Sequence, residues 1–286
     1  MVINMSKTGL VLEGGGMRGV FTAGVLDFFL DKDINFDMCS AVSAGSCHAC
    51  SYLAKQRGRA LSTAVDFLDH KDYCSVSSLI RTGDIFGADF IYREVPLEIY
   101  PIDNETFKKN PTEFYSVITD CETGEAKYYK INDLIKDVDA VRASASLPFV
   151  SRMVEIGGRK YLDGGLADSI PIKFSEKMGC TKNVLILTRD KNYRKSPSKF
   201  TGYSKLKYRK YPNLSDSIKN RYIVYNETLD YIKQQEALGN IFVIRPAGNL
   251  NIGRMEKNRD KLMGAYHKGY QQAQKSYEAL MKYLAK

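Results

Sequence analysis

A chain of 286 residues with 44% hydrophobic and 26% charged side chains has the composition of an ordinary globular protein, with length for one large core or two small ones. A collagen-like, disordered or disulfide-stapled chain is excluded. Lys and Arg number 42 against 33 Asp and Glu, a net charge of +9, and one run carries the whole excess. Residues 191–222 hold ten cations and a single acid, Asp216; elsewhere acids and bases balance.

The opening seven residues lack a basic start followed by an apolar run, so no targeting signal is expected. No stretch reaches the ~18 apolar residues of a spanning helix, and the expected location is cytoplasmic, or peripheral at a membrane. Residues 9–13 read as a short strand running into Gly14-Gly15-Gly16. Apolar residues at Val20, Phe21, Val25, Leu26, Phe28, Phe29 and Leu30 predict a helix with one buried face. Residues 34–42 form the next predicted strand, ending at Ser43, and 44–55 the next helix. This alternation is the pattern of a parallel sheet with covering helices.

Residues 56–112 mix short helical pieces with turn signals at Gly83, Gly87, Pro96 and Pro101, an apolar, turn-rich composition suited to a lid or acyl pocket. Hairpins are predicted over 114–130, around Gly124, and over 155–162, around Gly157-Gly158. Between them a helix over 133–144 is stopped by Pro148. Strands at 183–188 and 241–244 and helices over 215–235 and 254–284 complete one α/β domain spanning 1–286, with the basic run as its only linker-like stretch. Six cysteines without an export signal suggest reduced thiols. Cys47 and Cys50 have no second pair at zinc spacing, so small buried residues on a helix is the better reading.

Three short stretches carry chemistry. A serine between strand and helix, in Ala41-Val42-Ser43-Ala44-Gly45, has the pattern of a nucleophile elbow. Small neighbours let the two backbones approach, and the helix N–H groups favour negative charge at the serine. Ala41 replaces the first glycine of G-x-S-x-G by one methyl group. Gly14, Gly15 and Gly16 can turn several N–H groups into one concavity for an oxyanion, with the Ala44 amide as the elbow's own donor. Arg18 is placed to brace that loop or attract an anionic head group. Gly14, Gly16 and Gly19 also match a dinucleotide fingerprint with Asp37 as its acid, but the second strand ends at a serine turn instead. Asp163, ahead of Gly164-Gly165, would accept the serine proton if burial raised its pKa. By itself, an Asp-Gly pair more often marks a turn.

Taken in order, EGGGMRG, AVSAGS and LDGGLAD resemble the motifs of the bacterial patatin-like phospholipases. The likeness continues through residues 118–125 and Ser144-Ala-Ser-Leu-Pro148, and covers roughly residues 8–190. It implies a three-layer α/β/α sandwich with a mainly parallel central sheet. It also implies a Ser–Asp dyad, with Ser43 as nucleophile and Asp163 as proton acceptor. The oxyanion hole would be Gly14, Gly15, Gly16 and Ala44, supported by Arg18, Gly19, Ala41, Gly45, Gly164 and Gly165. The implied substrate is a phospholipid or other acyl ester, with no metal or organic cofactor.

Other readings remain open. Ser43, Asp163 and His267 follow the chain order of an α/β-hydrolase triad. His267, however, falls in a Lys- and Gln-rich helical stretch and reads as exposed. His48, five residues past Ser43, reads as directed away from the turn. Asp120 is a second candidate base, better suited to a hairpin turn. A non-catalytic lipid-binding or regulatory protein of the same fold is the other class, which only Ala41 favours. In 191–222 the cations alternate with Tyr193, Phe200, Tyr203, Tyr208, Tyr211 and Tyr222. A solvated loop, an anionic membrane surface and a nucleic-acid groove all fit; beside hydrolase motifs, lipid is the coherent partner and nucleic acid the weakest.

Overall fold

In a computed structural model describing residues 6–285, the strands join one mixed sheet. The absence of a targeting signal, read from the first residues, concerns positions 1–5 outside that range. The strands are β1 (Lys7–Leu12), β2 (Met38–Val42), β3 (Glu113–Asp120), β4 (Ala126–Ile131), β5 (Val154–Ile156), β6 (Arg159–Asp163), β7 (Cys180–Ile186) and β8 (Ile241–Ile244). Their order is β5-β6-β3-β2-β1-β7-β8, with β4 also paired to β3. From β3 through β8 the neighbours are parallel, while β4, β5 and β6 pair antiparallel as the two expected hairpins.

The helices are α1 (Val20–Asp31), α2 (Ala44–Leu53), α3 (Arg59–Val65), α4 (Val76–Thr82), α5 (Asn104–Lys109), α6 (Val138–Ala145), α7 (Ile172–Lys177), α8 (Thr201–Lys207), α9 (Pro212–Ala237) and α10 (Arg259–Ala285), with a π-helical stretch at Phe90–Ile99. Alternate residues of a strand face opposite sides. Leu10 and Leu12 therefore pack with Phe21 and Phe28 of α1 and Leu280 of α10. Val11 between them packs with Ile172 of α7 and Tyr225 and Ile232 of α9. Both faces of the sheet are covered, giving the three-layer α/β/α sandwich. Among the described residues no helix is long and apolar enough to cross a membrane.

Two expectations need correction. Helix α1, expected to bury one face, is buried all round from Val20 to Phe29. Helix α10 lies across its outer side, so close that a Cβ on Gly24 would stand 2.1 Å from the Tyr266 carbonyl oxygen. The basic run is not a linker either: it contains α8 and the start of α9, and its Tyr208, Leu214 and Ile218 are buried together. Helix α9 continues the segment without a break, which ties it to the sheet.

Strand β3 positions the site. Its Val117 pairs with Val42, the last residue of β2, and its next residue, Ile118, pairs with Asp163, the last of β6. Because β4 occupies the opposite edge of β3, β2 and β6 end at successive positions on one edge. Ser43 and Asp163 are brought together by that register.

Candidate active site

Ser43 leaves β2 with φ 56° and ψ −127°, a backbone state that costs about 1–3 kcal/mol outside glycine and survives only where its surroundings impose it. Those surroundings are specific. The Ser43 N–H donates to Ser144 Oγ at 2.8 Å, and the Ser43 carbonyl accepts from Cys47 N–H at 3.2 Å. Ser46 Oγ donates to the Ala41 carbonyl at 2.8 Å and lies 3.3 Å from Ser144 Oγ. Ala41 itself is wholly buried opposite Leu12, so the extra methyl is absorbed by the core.

The glycine loop is pressed against this turn. A Cβ on Gly14 would stand 2.8 Å from the Cβ of Ser43, and Gly16 has φ +57° with the Arg254 carbonyl 2.6 Å from where its Cβ would be. Glu13 anchors the loop by accepting from Thr188 N–H at 2.7 Å, Thr188 Oγ1 at 3.1 Å and Tyr225 O–H at 2.5 Å. The Glu13 and Met17 amides donate to Ile186 and Arg254 carbonyls. Among the described residues the Gly14, Gly15, Gly16 and Ala44 amides between and beside them have no protein acceptor. Gly45 sits against the backbone of Leu12 and Glu13, and Gly19 against His48.

Asp163 is 1% exposed. Its N–H donates to the Ser146 carbonyl at 2.8 Å, and its carbonyl accepts from Thr119 Oγ1 at 2.9 Å. The carboxylate accepts the Gly165 N–H at 2.8 Å and lines the same polar cavity as Ser43. Burial pushes the carboxyl pKa up, while the Arg221 guanidinium, the Ser43 hydroxyl and the Gly165 amide pull against that rise. Gly164 packs under Val117, where a Cβ would stand 2.1 Å from the carbonyl oxygen. The end of α6 thus clamps both partners, Ser144 holding Ser43 and Ser146 holding Asp163.

Two cavities meet at Ser43. The larger, about 180 Å³, is walled mainly by apolar side chains such as Val20, Tyr73, Ile91, Tyr92, Val95 and Val141. Much of that wall comes from residues 59–102, within the turn-rich stretch 56–112 read as a lid or acyl pocket. Cys47, Cys50 and His48 also line it; burial pushes the Cys47 thiol up to about 11 and the His48 imidazole down to about 4. The imidazole expected to turn away from the elbow is therefore part of the same chamber, held neutral, with no hydrogen bond to Ser43 or Asp163. The smaller cavity, about 30 Å³, is polar and holds Asp163, the glycine loop, Arg18, Arg189, Lys195, Arg221 and Arg254. Gly16, Ser43 and Leu147 line both.

The remaining candidates fall away from this point. His267 is exposed on α10 and lines neither cavity. Asp120 pairs with Arg159 at 2.8 Å and accepts the Glu122 and Thr123 amides, as a hairpin acid does. Asp37 is bonded to Thr8 just before β2 begins, at the wrong end of the strand for a dinucleotide ribose. Sequence reasoning missed Ser144 and Ser146 as clamps, although their motif had been noticed. It also missed that Arg189, Lys195, Arg221 and Arg254 line the polar cavity; the basic run was a signal for Lys195 and Arg221 alone.

A three-layer α/β/α sandwich with a glycine loop before its first helix and a strained serine turn before its second is the class of fold the structure defines. Residues 10–174 match the model of the patatin-like phospholipase family, and the chain belongs to that family. Residues 211–285 match a second model, a domain of unknown function termed DUF6363. The chain is 30% identical over 188 residues to the uncharacterized protein YjjU of Escherichia coli K12, covering 64% of this chain and 52% of that one. It is 27% identical over 169 residues to the uncharacterized NTE family protein Rv2565 of Mycobacterium tuberculosis H37Rv, covering 57% and 27%. It is 26% identical over 195 residues to lysophospholipase NTE1 of Candida glabrata, covering 63% and 10%. The matched region spans about half or less of the length of these relatives.

Proposed function

We propose that the chain is a serine acyl hydrolase of lipid esters, with Ser43 as nucleophile and Asp163 as its proton acceptor. The observation that carries this reading is the meeting, at one strained serine, of a buried carboxylate, four free amides and an apolar chamber. Ser43 Oγ attacks the ester carbonyl as Asp163 takes its proton. The oxyanion is met by the Gly14, Gly15, Gly16 and Ala44 amides. Asp163 returns the proton to the departing alkoxide, leaving an acyl-serine, then takes a proton from water as that water attacks the acyl carbon. Collapse frees the fatty acid and restores the serine. The acyl chain occupies the apolar chamber and the alcohol portion faces the polar cavity. The family's name and that of the yeast lysophospholipase favour phospholipids or lysophospholipids.

Docking at an anionic membrane suits the surface beside this site. Phe200, Tyr203 and Leu206 are 61%, 52% and 71% exposed, among exposed Lys199, Lys205 and Lys207. The Phe200 and Tyr203 ring centroids lie 5.7 and 5.5 Å from that of Phe149, two residues from Leu147 at the junction of the cavities. Cations attract anionic head groups while aromatics settle at their level. Binding to anionic vesicles should weaken as salt rises.

The test is a panel of p-nitrophenyl esters and lysophospholipids with wild-type, Ser43→Ala and Asp163→Asn chains. Both variants should lose about 10³-fold or more in kcat. Retention of hydrolysis by folded Ser43→Ala would overturn the assignment.

A further inference from the structure

We infer that the polar cavity beside Ser43 is a phosphate subsite, selecting lipid esters whose head is a dianionic phosphomonoester. The inference deepens the hydrolase reading and rests on it for the position of the ester, but not for the existence of the anion site.

The cavity is lined by Arg18, Arg189, Lys195, Arg221 and Arg254, drawn from chain segments far apart. The acids lining it are Glu13 and Asp163, and both are committed. Glu13 is held by Thr188 and Tyr225, and Asp163 accepts the Gly165 amide. Among the described residues, none of the five cations forms a salt bridge, although Lys and Arg elsewhere do so repeatedly. The Nε atoms of Arg18 and Arg221 are buried with no hydrogen-bond partner. Arg18 is buried, Arg189, Lys195 and Arg221 are half-buried and Arg254 is exposed. Cations withdrawn from water without a counter-ion, as Arg18 and Arg221 are, are costly and are kept where an anion completes them.

The charges feel one another. Burial, then Arg189 and Arg254, bring Arg18 down to about 10; burial, then Arg221 and Arg254, bring Lys195 down to about 7. Aromatic rings hold two of them in place without neutralising them: the Arg189 guanidinium lies 4.2 Å from the Tyr193 ring centroid and Lys195 Nζ 4.4 Å from that of Tyr225.

Ligand class follows from size and sign. At about 30 Å³ against about 180 Å³ for the apolar chamber, the cavity suits a compact group rather than a chain. Five cations facing two committed carboxylates favour a dianion, with guanidinium forks matched to phosphate oxygens. A choline head would bring its own cation against them. Since Ser43 lines both cavities, an ester at Ser43 with its acyl chain in the apolar chamber directs a glycerol phosphate into the polar one.

The experiment is calorimetry on the full Ser43→Ala chain with three ligands sharing one acyl chain below their micelle concentrations, plus inorganic phosphate. The ligands are lysophosphatidate, lysophosphatidylcholine and monoacylglycerol. Lysophosphatidate should bind at least about tenfold tighter than the other two lipids, and Arg254→Gln or Arg189→Gln should each remove most of that preference. Equal binding of the three lipids would overturn the subsite. Inorganic phosphate binding as tightly as lysophosphatidate would make a free anion the ligand and overturn the head-group assignment. Active chain that hydrolyses all three lipids without preference would overturn this inference and leave the hydrolase reading standing. Selective binding with no hydrolysis of any ester would do the reverse.

Discussion

At Asp163, burial and the Arg221 guanidinium act in opposite directions on one carboxylate. On the proposed mechanism the carboxyl must be ionised to take the Ser43 proton, so activity should be lost as pH falls through its raised pKa. The acid limb of kcat/KM should therefore lie above the ordinary aspartate value of 3.8. Arg221→Gln removes a group that favours the charged form, and the limb should move to higher pH; a limb that stays put or moves lower would contradict that influence. His48, brought down to about 4 by burial, titrates near this range, and His48→Gln should leave the limb in place. The turns at Ser43 and Asp163 were legible because small residues around each mark a tight turn in one dimension. Arg221 was not, because nothing near it in the chain distinguishes it from the exposed Lys219.

Between elements, β3 acts as a gauge and the end of α6 as a clamp. The Ser43 amide and Ser144 hydroxyl are 101 residues apart in the chain, a pairing no local pattern encodes. Ser144→Ala would leave that buried amide without an acceptor, costing about 1–3 kcal/mol in a denaturant melt. It should also lower kcat, because the strained serine turn loses its tie while Asp163 keeps its own. Strand and helix periodicity made most elements readable, including both hairpins. Periodicity failed at α1, where the second covering surface, α10, comes from the far end of the chain. It failed also at the basic run, whose many lysines disguised α8 and the buried Leu214 at the start of α9.

Over the whole molecule, the sheet delivers one serine to the boundary of an apolar and a cationic cavity. The motifs located that boundary, yet the cavities themselves were not legible, since each is assembled from segments distant in sequence. Residues 59–102 wall the apolar chamber through short helices and a π-helical stretch that lack a strong repeat. Val141→Phe would narrow this chamber. Its kcat/KM should fall more for long-chain than for butyryl p-nitrophenyl esters, and an equal fall for both would contradict the chamber's role as acyl site.

Peptide mapping by mass spectrometry after exposure to a fluorophosphonate reads the activated hydroxyl itself. A single adduct on Ser43, absent from Ser43→Ala and formed more slowly in Asp163→Asn, is the expected result. An adduct on another residue, or none from a chain that still cleaves esters, would contradict the account.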